Sequence, residues 1–382
     1  MHRRPITPRP DWRTTIEQQG FIFHDTEDGT GRSTWDESAY YSITLREAEV
    51  LESATQALHE MCLEAVDHLV TTDQLARVGI AEQHHAFVQD SWTSGHPSLY
   101  GRFDLAYDGR TAPKLLEYNA DTPTSLLESA VVQWYWFQDR FPKEDQFNSL
   151  HEKLIAQWRV ACVSDAAAPR VHLACIEDNA EDFMTVSYLQ ETALQASLLT
   201  TFLPITRVGW NAAQGKFLDE QERPINTLFK LYPWEWLFRE DFSKHIARAP
   251  TRWIEPAWKA VLSNKAILAV LWELFPRSEH LLPASFEPLP GGGASVRKPI
   301  HSREGANIQT LQDGRVLSET PGPYTGPYVY QALANLPRAD GKSAVIGSWV
   351  IGDEPCGIGI REDASGIVTN TSAFVPHIIE RA

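Results

Sequence analysis

Between positions 44 and 70 the apolar residues Leu45, Val50, Leu51, Leu58, Met61, Cys62 and Val66 recur at the three- and four-residue intervals of one helix face. Extended stretches follow at about 98–107 and 113–118. A helix is then expected from about Ser125 to Phe137, where Ser125 and Glu128 stand at capping-box spacing. VHLACIED (171–178) is an apolar run ending in acids, and so reads as a buried strand. EDFMTVSYLQETAL after it reads as a helix, which completes a βα unit of the kind found in doubly wound sheets. In the second half, INTLFKLYPWEW (225–236) precedes a helix-like NKAILAVLWELF (264–275). SVRKPI, YVYQAL, SAVIGSWVIG and CGIGIRE then predict successive strands of one mostly antiparallel sheet. The Gly-Pro cluster at 283–293 is the expected hinge or lobe boundary. The pattern predicts an α+β chain whose mixed sheet and helices face a strand-rich lobe across a cleft.

Composition narrows the function. The chain has 382 residues, 43% of them hydrophobic, enough for a substantial core. Acidic residues outnumber basic ones 50 to 34, a formal charge of -16, so the broad positive field used to bind nucleic acid or anionic membranes is absent. No run approaches the ~20 apolar residues of a spanning helix. MHRRPITPRP lacks the apolar stretch of a secretory signal, and residues 1–20 are expected to form an N-terminal arm. Cys62, Cys162, Cys175 and Cys356 form no CxxC pair, which fits a reducing compartment and a cytoplasmic protein. There is no Walker A sequence and no GxSxG elbow, and GGGA (291–294) does not complete a dinucleotide loop.

The sharpest local signal is GRFDLAYDGRTAPKLLEYNADTPTSLLE (101–128). In extended chain Arg102 and Asp104 share a face, as do Glu117 and Asn119. Pro113 cannot donate to a ladder, so a six-residue loop is expected, pairing Tyr107 with Lys114, Asp104 with Glu117 and Arg102 with Asn119. Two carboxylates opposed across a ladder repel unless a cation lies between them. Asp104, Glu117 and Asn119 offer the hard oxygens that Mg²⁺ takes when it also binds phosphates; the alternative is that Arg102 pairs with both acids. Thr122, Thr124 and Ser125 place hydroxyls before the expected helix, where they either favour an anion or merely cap. Glu177 and Asp178 end a buried strand, suited to a cationic amine or to a solvated turn. Lys265, Lys298, Arg303 and Arg361 each adjoin apolar segments, and HSREGAN (301–307), with Gly305, suits a loop over phosphates. Lys298 shares strand parity with Val296 and Ile300, so its stem should face inward and need an anionic partner.

Together these segments resemble the synthetase domain of the glutathionylspermidine synthase family and the shorter acid–amine ligases related to it. GRFD, LLEYNADTPTSLLE, EPAWK, SNKAILAVLWELFP, VRKPIHSREGAN, YVYQAL, VIGSWVIGDEPCGIGIRED and FVPH carry the resemblance, in order, from about Gly20 to His377. It implies an ATP-grasp architecture and a ligase that joins a small-molecule carboxylate to an amine, with a polyamine among the candidates, through an acyl phosphate. By the same resemblance Asp104, Glu117 and Asn119 would hold Mg²⁺. Lys265, Lys298, Arg303 and Gly305 would meet ATP phosphates, and Gln331 the adenine. Arg102 and Arg361 would stabilise the transferring phosphoryl group, with Thr122 and Thr124 near the acceptor and Glu177 and Asp178 near the amine. Bifunctional members carry an amidase domain that has no counterpart here, so hydrolysis of the product is not expected. KLYPWEW (230–236) is bulky where glutathione-using members carry threonines, which leaves the acid and the amine open. The alternatives are a non-catalytic nucleotide- or polyamine-binding regulator, and a metal-dependent hydrolase built on Asp104 and Glu117.

Overall fold

Thr44 begins the long helix Leu45–Thr71 with a reciprocal capping box: its hydroxyl accepts from the Glu47 N–H while the Glu47 carboxylate accepts from the Thr44 N–H. Most of the apolar stripe that predicts this helix lies on the face it buries, with Leu51, Leu58, Cys62, Val66 and Leu69 removed from solvent against the sheet below, while Leu45 in the first turn is exposed. The computed structural model describes residues 1–25, 33–163, 169–369 and 371–381. Residues 1–20, expected as an arm, hold the strand His2–Pro5 and the helix Trp12–Gln18. The strand pairs with Ala39–Thr44, and Arg9 is buried against Glu37, tying the segment to the body.

Three sheets position the site. The first is six-stranded. Its main path runs Ala373–Val375, Glu354–Asp363, Lys342–Ile351, Tyr100–Ala106 and Lys114–Asn119, with Arg338–Ala339 alongside. The second has five strands, in the order Ala284–Ser285, Tyr328–Ala332, Ala294–Pro299, Gln309–Gln312 and Arg315–Glu319. The third is a parallel four-stranded sheet in which Arg170–Cys175 lies between Thr227–Leu231 and Leu199–Pro204. The helix Ala180–Gln195 crosses over from Arg170–Cys175 to Leu199–Pro204, the expected βα unit.

The α+β class holds, but one expectation about the sheets does not. The four second-half segments were expected in a single sheet. SVRKPI and YVYQAL pair with each other in the five-stranded sheet, whereas SAVIGSWVIG pairs with the first-half strand Tyr100–Ala106. Lys342–Ile351 is buried along nearly its whole length and has a strand on either side, so its partners come from wherever the chain supplies buried edges. The 283–293 stretch contributes Ala284–Ser285 to the edge of the five-stranded sheet, then three consecutive glycines at positive φ. No helix among the described residues is long and apolar enough to cross a membrane. All four cysteines are buried and free.

Candidate active site

The centre of the site is the strand Tyr100–Ala106, every residue of which is buried. Phe103 and Leu105 point into the core beneath the long helix, so Arg102 and Asp104 share the opposite face. Arg102 Nε donates to Asp104 Oδ1 at 2.7 Å, and Arg361 Nη2 donates to Asp104 Oδ2 at 2.9 Å from two strands away. Arg102 has room to lie flat because Gly347 stands opposite Asp104; a Cβ there would come within 2.8 Å of Arg102 Cδ. Burial acts to strip the Arg102 charge, but Asp104 more than restores it and the guanidinium is held above its ordinary value. Arg361 is lowered, by burial and then by repulsion from Arg102.

The expected register is found at the chemistry and broken beside it. Arg102 pairs with Asn119 and Asp104 with Glu117, but Lys114 pairs with Ala106 in place of Tyr107. Leu116 is the extra residue of a β-bulge. Its carbonyl, freed from the ladder, accepts from Lys298 Nζ at 2.9 Å. The neighbouring carbonyl of Leu115 accepts from Gln331 Nε2 at 2.9 Å, and Gln331 Oε1 accepts from Lys298 Nζ at 2.8 Å. The bulge thus fastens the five-stranded sheet to the edge of the six-stranded one. Glu117 pairs with Lys265 at 3.0 Å and leaves 24% of its side chain open to the cleft. Burial pushes the Glu117 carboxyl up, but Lys265 and then Lys298 outweigh it and hold the group well below the carboxylate range. Burial brings Lys298 down to about 8, with Glu117 opposing. Asn119 Nδ2 donates to Glu117 Oε1 at 3.3 Å.

Between the two sheets lies a cavity of about 430 Å³ lined by Asp104, Glu117, Lys298, Gly305 and Gln331. Arg102, Arg361 and Lys265 join it through their ion pairs with its acids. Four cations therefore converge on two anions in a chain of net charge -16, and the excess is positive only locally. Among the described residues no group of three or more His, Cys, Asp and Glu side chains is set to hold a metal by itself. Two carboxylates and an amide oxygen are a hard-oxygen donor set of the kind Mg²⁺ takes, here paired with Arg102, Arg361 and Lys265.

The other expected residues lie further out. Arg303 Nη1 donates to Thr122 Oγ1 and Nη2 to Glu235 Oε1, each at 2.7 Å. Thr124 turns its carbonyl to Arg102. The capping box expected at Ser125 does not form. Ser125 is in the left-handed region at φ 65°, and a π-helical turn, Glu128–Val132, precedes the α-helix Gln133–Arg140. Thr122 and Thr124 thus stand in a turn before the helix. Glu177 and Asp178 occupy an exposed turn and are hydrogen-bonded to nothing among the described side chains. Of the enclosed acids the sequence singles out only Glu128, and that as a capping residue, while Glu181 and Asp182 go unmarked. Burial, then repulsion by Glu128, raises Glu181 to about 8. Burial raises Glu128 to about 7, against Arg361 and Arg102, and Asp182 to about 6, against Arg303. Asp121 and Lys230 form a fully buried pair at 2.8 Å, and Asp121 also accepts from the Trp234 N–H, fixing the turn that carries Thr122. The only signal for Glu181 and Asp182 is two acids in the first turn of a helix capped by Asn179, which is common on helices of any function.

Residues 3–380 match the family model described as glutathionylspermidine synthase preATP-grasp. The chain belongs to the glutathionylspermidine synthase family. A relative from Haemophilus influenzae named "Putative acid--amine ligase" is 40% identical over 382 residues, covering 97% of each chain. The bifunctional glutathionylspermidine synthetase/amidase of Escherichia coli is 30% identical over 89% of this chain, which spans 59% of that longer protein. A glutathione synthetase-like effector from Globodera pallida, solved in its apo form, is 9% identical and superposes with a TM-score of 0.57, covering 98% of this chain and all of its own. That likeness concerns the fold, which is glutathione synthetase-like. The family and its relatives are synthetases and ligases, the class to which an ATP-dependent carboxylate–amine ligase belongs.

Proposed function

We propose that the cleft is an ATP-grasp site in which the γ-phosphoryl group of ATP is transferred to a small-molecule carboxylate. The amine nitrogen then attacks the acyl-phosphate carbonyl, and an amide forms as phosphate leaves with ADP already made. The observation that carries this reading is the set of Arg102, Arg361, Lys265 and Lys298 around Asp104 and Glu117 at the edge of the 430 Å³ cleft. Phosphoryl transfer spreads negative charge over equatorial oxygens, and fixed cations in a water-poor site stabilise that charge most. Asp104, Glu117 and Asn119 would hold Mg²⁺, which screens phosphate charge when bound. Lys265 and Lys298 would orient the phosphates, with Arg303 and Gly305 closing over them and Gln331 facing the base. Arg102 and Arg361 would hold the carboxylate acceptor beside Thr122 and Thr124.

An amine nucleophile arrives uncharged at the reacting nitrogen, while the rest of a diamine or polyamine stays protonated. Glu181, Asp182 and Glu128 suit that distal charge better than Glu177 and Asp178, because they are enclosed and burial raises their carboxyls in spite of the nearby arginines, so a bound ammonium would supply the positive charge they lack. The decisive experiment crosses peptides and amino acids with di- and polyamines and measures ADP release, identifying the product by mass. ADP formation that requires both an acid and an amine is expected. Turnover without nucleotide would favour a hydrolase, and nucleotide binding with no turnover across the whole panel would favour a regulator.

A further inference from the structure

A second, larger cavity of about 730 Å³ shares no lining residue with the cleft. One wall is apolar and open to solvent: Trp134 is 39% exposed, Tyr135 50%, Phe183 46% and Ile22 59%. Most large apolar side chains of this chain are buried, so four open ones around one hollow mark a surface suited to a ligand. The other wall is polar and ordered by its own hydrogen bonds. His151 Nε2 lies 3.2 Å from Gln195 Oε1, an acceptor, so the imidazole donates there and its Nδ1 accepts from the Tyr188 hydroxyl at 3.0 Å. Gln195 Nε2 in turn donates to Glu191 Oε1 at 3.0 Å.

Charge decides what the groove would take. Its lining includes Glu152 and Glu191 and no lysine or arginine, and neither acid has a cationic partner among the described residues. Gln19, also in the lining, keeps its Oε1 buried with no donor among the described residues. Two carboxylates without a cationic partner, at the rim of a hollow with open aromatic faces, complement a hydrogen-bond-donating cation with an apolar body. The volume is in the range of about 300–1,000 Å³ typical of small-molecule sites. We propose that this groove is a binding site for an amphipathic organic ammonium, its apolar body against Trp134, Tyr135 and Phe183 and its ammonium group donating to Glu152, Glu191 and Gln19.

The test is titration calorimetry on the nucleotide-free protein with 2-phenylethylamine, protonated at neutral pH, and with 2-phenylethanol, its uncharged analogue. Saturable binding of the amine at one site per chain is expected, about tenfold tighter than the alcohol. Trp134→Ala, at an exposed position, should weaken both ligands. The double variant Glu152→Gln/Glu191→Gln should weaken the amine about tenfold and leave the alcohol unchanged. Glu181→Gln separates the groove from the proposed ligase site and should leave amine binding intact. The proposal is overturned by the absence of saturable heat, or by equal affinity for amine and alcohol. It is equally overturned by amine binding that survives Trp134→Ala and is lost in Glu181→Gln. Sedimentation showing a dimer that Trp134→Ala dissociates would assign the face to a second copy of the chain and overturn it too.

Discussion

Glu117 stands between Lys265 and Lys298, and both ammonium groups act to keep it ionised against the cost of burial. Replacing it with Gln keeps the shape and removes the charge that both lysines face and that Mg²⁺ would need in the proposed site. Glu117→Gln should fold, bind ATP in Mg²⁺ more weakly and lose at least ~100-fold in kcat. Wild-type turnover in that variant, measured by ADP release, would remove Glu117 from the site. Glu181 works in the opposite sense. Its carboxyl is raised by burial from 4.5 to about 8, so the folded protein holds that proton more tightly than the unfolded chain does. The stability linked to it is complete below about 4.5 and is lost as pH rises through about 8. Glu181→Gln, which cannot ionise, should therefore melt about 3 °C above the wild type at pH 9, and the difference should shrink at pH 5. Equal melting shifts at both pH values would show that Glu181 titrates as an open carboxyl. That acid is invisible in the sequence because the like charges that add to the effect of its burial, Glu128 and Glu304, lie far away along the chain.

At the level of single elements, legibility follows from how local the determinant is. The long helix is readable because its apolar period and its Thr44–Glu47 box lie within one stretch of chain. The Arg102–Asn119 and Asp104–Glu117 pairs are readable from strand parity together with the loop that Pro113 ends. The bulge at Leu116 is not. Its stabilising partner, Lys298, is 182 residues away in sequence and belongs to another sheet. Nor does Ser125–Glu128 spacing reveal that the turn is spent on the contacts of Arg102 and Arg303 with Thr124 and Thr122 in place of a cap. Two substitutions separate scaffold from site. Thr44→Ala removes the cap and should cost about 1 kcal/mol of stability with kcat unchanged. Gly347→Ala forces a methyl against Arg102 Cδ at 2.8 Å, in the middle of a two-sided strand. It should cost ~1–3 kcal/mol and, by moving Arg102 off Asp104, reduce kcat at least ~10-fold. Chemical denaturation and ADP release on the same preparations check both, and a Gly347→Ala enzyme with normal kcat would show that the Arg102 position is not constrained there.

Across the whole molecule the two sides of the cleft are not two halves of the chain. The six-stranded sheet takes Tyr100–Ala106 from the first half and Lys342–Ile351 from the second, so Arg102 and Arg361 reach one carboxylate from opposite ends of the sequence. Strand order of this kind depends on distant pairing and leaves little trace in local pattern. What can move is therefore smaller than a lobe. The segment after Ala294–Pro299 is tied down on the far side of the cleft by Arg303, through Thr122 and Glu235, and Gly305 at φ 69° sits so close to Val368 that a Cβ would meet its carbonyl at 2.6 Å. If this strap closes over nucleotide, Arg303 is its latch, and Glu235 keeps the latch charged even though both groups are enclosed. Arg303→Gln should leave the melting temperature within a few degrees of wild type, because the contacts join two surfaces and lie outside the core. It should speed amide hydrogen exchange across 302–307 in the free protein and raise the ATP KM several-fold more than it lowers kcat. Mg²⁺–ATP should slow that exchange in the wild type, and less so in the variant. Exchange at 302–307 that is the same in both proteins, with and without nucleotide, would mean that the segment is fixed wall and that nucleotide reaches the cleft by another edge.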